Sequence, residues 1–151
     1  MNIKILGFGL VSLGAALFAS TAVAHDINFK TVAAANGAGA TDVWAVECFN
    51  SAAVGNTYKL EAKLRELTPN SFSKLTLVIY KDGKAQTTTD LSGADAVYSP
   101  FVSVAAGNGV YSLMVAHTDT ANKAYNIEYH CLSANNDHTP TTVPTTPVQD
   151  Q

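Results

Sequence analysis

Arginine occurs once in this chain, as Arg65, tryptophan once, as Trp44, and cysteine only twice, as Cys48 and Cys131. With 9 basic residues against 12 acidic ones and a formal charge of −3, the composition offers no basic excess for a nucleic acid or an anionic membrane to recognise. The motifs that announce common enzymes are missing too. There is no G-x-S-x-G, no H-E-x-x-H, no phosphate-cradling glycine loop, and no pair of carboxylates on one strand face of the kind that glycoside hydrolysis uses. After residue 24 no long apolar run remains, so the rest of the chain holds no candidate membrane span. The reading is of a non-catalytic protein.

What is present at the N-terminus is a leader. Met1 to Ala24 carries one positive charge, Lys4, then the apolar run Ile5 to Ala19, then Ser20-Thr21-Ala22-Val23-Ala24 with small residues at Ala22 and Ala24. That is the layout of a cleaved signal peptide, with an uncleaved anchor helix as the rival. Cleavage after Ala24 makes His25 the first residue of an exported protein, periplasmic or extracellular. In such a compartment two cysteines read as a disulfide, and two allow one pairing. A thiolate ligand or nucleophile is the alternative, but no C-x-x-C or nearby Cys/His spacing supports it.

From His25 onward apolar residues recur with a period of two, and Gly, Pro, Asn and Asp gather between the runs. Strands are expected at 27–32, 42–49, 56–67, 74–80, 85–90, 96–104, 110–117 and 123–132. In 56–67, Tyr58, Leu60, Ala62 and Leu64 alternate with Lys59, Glu61, Lys63 and Arg65; a helix through Leu60, Leu64 and Leu67 competes, and strict alternation favours the strand. Asp82-Gly83 supplies the positive φ of a tight hairpin. Pro100 confines 96–104 to an edge or a bulge. Cys48 shares a face with Trp44 and Val46, and Cys131 with Tyr125, Ile127 and Tyr129, so both sulfurs point into the core of a two-sheet protein. Residues 133–151 are rich in Thr and Pro, hold no aromatic, and are expected to be a solvated, disordered tail. The fold class is therefore all-β: a single antiparallel β-sandwich of Greek-key or jelly-roll type, with seven or eight strands over 25–132 and one disulfide.

Several segments carry a resemblance. Asp42-Val43-Trp44 opens a strand, Lys59 to Leu67 follows a turn at Gly55, Leu75 to Gly83 (LTLVIYKDG) forms a hairpin, and Ala105 to Val115 (AAGNGVYSLMV) follows. In this order, over roughly residues 42 to 130, the chain resembles the bacterial pre-peptidase C-terminal domains, secreted β-sandwich modules appended to exported enzymes. The Cys48 and Cys131 pair is not part of that family's pattern. The resemblance implies an accessory or binding module, sometimes calcium-bound, and names no ligand, whether protein or cell surface.

Two metal readings arise from the residues. A mature N-terminal His25 offers an α-amine and an imidazole to one copper ion, and a second imidazole, from His117 at a strand end or His130 beside Glu128, would complete a nitrogen-rich tetragonal site. The competing reading is a frayed terminus and two solvated pairs, His117 with Asp119 and Glu128 with His130. Asp90 and Asp95, with Gly93 between them, have the oxygen ligands and the bend that calcium favours, although the spacing does not match an EF-hand loop and a structural turn is the better reading. Trp44, Phe72, Tyr98 and Phe101 are candidates for a carbohydrate platform, Trp44 being also a core candidate. A third functional reading is a surface subunit that assembles through edge strands.

Overall fold

A computed structural model describes residues 25–69 and 73–151; the leader and Phe72 lie outside the described residues. Eight strands run in chain order: β1 His25–Val32, β2 Thr41–Cys48, β3 Lys59–Glu66, β4 Thr76–Lys81, β5 Lys84–Thr89, β6 Val102–Val104, β7 Gly109–Ala116 and β8 Lys123–Leu132. The described residues contain no α-helix, only a short 3-10 turn at Ala34–Asn36. All pairings are antiparallel, and they form two four-stranded sheets ordered β1-β8-β3-β6 and β2-β7-β4-β5. First pairs with last, second with seventh and third with sixth, while the fourth and fifth form the closing hairpin. A long hairpin folded over on itself in this way is a jelly roll.

Alternation in sequence becomes burial in space. In β3 the burial pattern is strictly alternating, with Leu60, Ala62 and Leu64 at 0% exposure. Facing them from the other sheet are Trp44, Val46, Leu77, Ile79, Leu113 and Val115, all fully buried. The β4–β5 hairpin turns at Asp82 and Gly83, both with positive φ (50° and 75°), the conformation a two-residue turn needs to match strand twist. Cys48 and Cys131 form a disulfide across the sheets, with Cα atoms 5.7 Å apart, and no cysteine is left free.

Two expected elements differ. The strand expected at 96–104 is reduced to Val102–Val104. Upstream of it Pro100 has no N–H to give, and Ser99 instead donates its N–H to the Leu64 carbonyl and accepts the Leu64 N–H on Oγ, so a side chain replaces ladder geometry. The larger difference is after β8, where residues expected to be a disordered tail are hydrogen-bonded along the open edge of β2. The chain reverses at 133–137, where Ser133 N–H donates to Asp137 O at 2.8 Å, and then runs antiparallel to β2. Phe49 N donates to Pro140 O, Thr142 N to Glu47 O, and Val43 N to Gln149 O, at 2.8 to 3.0 Å. Thr and Pro cannot build a core, but an unpaired edge needs only backbone partners, and a strap with few apolar side chains supplies them.

Deleting residues 140–151 therefore uncovers β2. Because an open edge templates strand pairing, the truncated protein is expected to associate with rising concentration in analytical ultracentrifugation while the full chain does not. A truncated chain that behaves identically would show that the strap does not guard this edge.

Candidate functional site

The end of the sandwich where β2 and β8 begin is a buried polar network. Trp44 Nε1 donates to Tyr125 Oη at 2.9 Å, Tyr125 Oη–H donates to Asp42 Oδ2 at 2.6 Å, and Gln151 N–H donates to Asp42 Oδ1 at 2.9 Å. Burial pushes Asp42 above the usual carboxylate range against these donors, and burial with the neighbouring Asp42 pushes the Tyr125 phenol up. Nearby, Lys123, 1% exposed, places Nζ at 3.2 Å from both Glu66 Oε1 and Asp119 Oδ2, and donates to the Ser73 carbonyl at 3.1 Å. His117 Nδ1 meets Asp119 Oδ1 at 2.9 Å. Burial works against the Asp119 carboxylate, but hydrogen bonds from Ser73, Ala121, Lys123 and His117 outweigh it and hold the carboxyl well below its usual range. His117 is thus a structural partner of Asp119.

The calcium candidates Asp90 and Asp95 both accept backbone N–H groups. Asp90, 1% exposed, accepts the Glu66 N–H on Oδ2 at 2.7 Å and the Ser92 N–H on Oδ1 at 3.0 Å. Asp95 accepts the Val97 N–H at 2.8 Å, and hydrogen bonds from Ser92 and then Val97 lower it. Both carboxylates cap backbone donors in the turn around Gly93, whose φ is +64°.

The remaining histidines lie toward the far end of β8 and on its neighbours. His25 faces Tyr129 across the β1–β8 ladder, with ring centroids 5.8 Å apart, and His130 follows in the chain. His138, at the start of the strap, packs edge-on against His130 with centroids 4.7 Å apart. Burial, then the charges of His130 and His138, lower His25; burial, then His130, lower His138. The Nδ1 atoms of His25 and His130 are buried and unpartnered. Of the copper candidates, His25 packs on Tyr129 and His130 on Phe101 and His138, whereas His117 adjoins Asp119 and Lys123 at the opposite end of β8, about 20 Å away at strand rise. No group of three His, Cys, Asp or Glu side chains that could hold a metal ion occurs among the described residues. His138 was invisible to sequence reasoning because it falls in the segment read as tail.

Of the aromatic candidates, Trp44 is core at 0% exposure. Tyr98 and Phe101 do meet, but around the protein's own Lys63, whose Nζ lies 4.7 Å and 4.5 Å from their ring centroids. Arg65 stacks on Tyr98 at 4.8 Å, and Lys63 pairs with Glu128 at 2.9 Å. These cation–π contacts pin the loop before β6 onto β3.

One residue that the alternation misplaced stands out. Ile27, Phe29 and Thr31 share a phase in sequence, yet Ile27 and Val32 are buried and Phe29 is 81% exposed. The β1–β8 register shifts between Ile27 and Lys30, and Phe29 sits at φ +55°. Its N–H donates at 2.8 Å to Oδ1 of Asn126, itself 3% exposed. A phenyl ring with left-handed backbone on an edge strand is a bulge that re-aims a side chain, and its strain persists only because the surroundings hold it. The apolar Val32, out of phase with Ile27, is the one sequence trace of this shift. Among the described residues no helix is long and apolar enough to cross a membrane. No family model, curated protein or solved structure matches the chain.

Proposed function

We propose that this chain is an exported, non-catalytic binding or accessory module that presents Phe29 as its contact residue. The observation that carries the reading is the Phe29 bulge: a strained backbone, fixed by a buried asparagine, whose product is one exposed aromatic ring. Aromatic side chains of this kind anchor interfaces because a rigid ring buries large area at low entropic cost. Two further features support it. The buried Asp42, Glu66, Asp90 and Lys123 and the partly exposed Asp119 are all engaged in fold-stabilising contacts, and an open depression of about 390 Å³ between β5 and β6 is lined by Lys84, Ala85, Gln86, Ser103, Val104 and Ala105, without a carboxylate, imidazole or thiol. The inter-sheet disulfide suits an oxidising compartment.

If Phe29 serves contact and not packing, Phe29→Gly relieves the left-handed strain and leaves stability within about 1 kcal/mol of the parent, on the stabilising side. Thermal unfolding checks this, and a clear loss of stability would assign the ring a structural role. In cells that export the protein, a photo-crosslinking residue at position 29 is expected to give a discrete adduct that the same group at exposed Lys84 does not. Equal adducts at both positions, or none, contradict the assignment. The exported product should have the mass of residues 25–151 less two hydrogens; an uncleaved mass contradicts export by the leader.

A further inference from the structure

We infer that the contact surface begun by Phe29 continues across the outer face of the β1-β8-β3-β6 sheet to Arg65, and that it takes a protein segment offering an apolar pocket to the ring and a carboxylate to the guanidinium. The inference rests on the reading of Phe29 as a contact residue and adds the residue that sets the partner's charge. Three strands place the two side chains in one row. Asn126 Oδ1 accepts the Phe29 N–H at 2.8 Å, and Asn126 is in turn the direct cross-strand partner of Arg65 in the β3–β8 ladder. Arg65 alternates with the buried Leu64 and Glu66, so it lies on the outer face of β3. With strands about 4.8 Å apart, β1 and β3 are separated by about 10 Å, which about three residues of an extended segment span.

Arg65 is the cation of its strand that lacks an anion. On the same face of β3, Lys59 pairs with Glu61 at 3.0 Å and Lys63 with Glu128 at 2.9 Å. Arg65, the chain's one arginine, has no ion-pair partner among the described residues, and its Nε is buried without a hydrogen bond. Asp95 lies within electrostatic reach, but its carboxylate is engaged by Ser92 and by the Val97 N–H. Tyr98 stacks on the guanidinium with Cζ 4.8 Å from the ring centroid, which fixes the plane and leaves the edge donors unspent. Since Nε is the buried end, the two Nη groups are the end offered to a partner.

A guanidinium held flat on a ring and short of an acceptor matches a carboxylate through two parallel N–H···O bonds. Aromatic rings and arginines are also the side chains that carry most of the energy of protein interfaces. The row supplies one of each, and exposed Asn28 and Thr31 flank the ring as a small polar rim. A partner carrying a lysine or an arginine opposite Arg65 would meet like charge, so the same residue that attracts one class of segment rejects another.

The test reads how the adduct from a photo-crosslinking group at position 29, in cells that export the protein, depends on position 65. Arg65→Gln is expected to lower the adduct yield about tenfold, the loss of one charge-assisted bidentate contact. Arg65→Lys keeps the charge and the contact with Tyr98 without the fork, and is expected to lower the yield less; should Arg65→Gln fail to fold, this variant carries the comparison. Lys59→Gln, which removes a cation from the same face of β3, is expected to leave the yield unchanged. In the Arg65→Lys cells, carbodiimide is expected to join the introduced amine to the same partner as an amide, the water lost being taken up by the carbodiimide, with the partner end on a carboxyl by mass spectrometry. A position 29 adduct that ignores both Arg65 variants, an equal loss with Lys59→Gln, a coupled partner group that is not a carboxyl, or an adduct with a second copy of the chain each overturn the role of Arg65 and leave Phe29 as a contact. No adduct from position 29 in the parent overturns the Phe29 reading itself, and this inference with it.

Discussion

Reducing the Cys48–Cys131 bridge is expected to destabilise the domain by about 4 kcal/mol, because the bridge closes a loop with sequence separation 83 and the unfolded chain regains that freedom. For a domain of this size the change corresponds to a fall in melting temperature of about 15 °C. The bridge also has a mechanical role. Cys48 ends β2 and Cys131 lies one residue from the end of β8, so it ties the two sheets at the point where the chain leaves β8 for the strap. Cys48→Ser/Cys131→Ser should reproduce the effect of reductant. Calorimetry with and without reductant decides the matter, and equal melting temperatures would show that the bridge adds nothing the core does not already supply.

The second large effect concerns Lys123. Its ammonium is 1% exposed and faces Glu66, which is 0% exposed, at 3.2 Å. Glu66 Oε2 has no hydrogen-bond partner among the described residues. Replacing Lys123 with Met keeps the side-chain volume but leaves a carboxylate in the interior with no cation, and removing one partner of a buried pair costs about 3–5 kcal/mol. The double variant Lys123→Met/Glu66→Leu is expected to recover most of that loss, since an apolar pair needs no compensating charge. Chemical denaturation of the two variants separates the outcomes. A single variant within about 1 kcal/mol of the parent would mean that the pair is solvated.

Most of the sandwich was legible because its sheets bury one face each. In K-L-E-A-K-L-R-E the strict alternation outweighs the helical spacing of the leucines, and β3 shows that alternation, with Glu66 the one charge on its buried phase. The Cys48–Cys131 pairing and the Asp82-Gly83 turn followed from compartment chemistry and from backbone φ, which are local. Three features were not legible. Phe29 lies in phase with Ile27, and only the Asn126 side chain, far along the chain, diverts it. The strap was hidden because composition reports whether a segment can build a core, and this one is held by main-chain bonds to an edge that composition does not encode. His138 was hidden with it, so His130 was seen without the ring that packs on it. The exposed Phe29 ring depends on a strand position that breaks its own period, and a pattern read by its period passes over it.

Native-state hydrogen exchange at neutral pH on the oxidised protein tests the strapped jelly roll most directly, because it reads the strap on the sandwich without perturbing either. The Val43 and Phe49 amides have partners only in the segment after β8, Gln149 O and Pro140 O. If the domain is a jelly roll closed by its C-terminal strap, both amides are protected well above random-coil rates, approaching interior amides of β2 such as Val46. Exchange of Val43 and Phe49 at the rate of free peptide, with the rest of β2 protected, would contradict it.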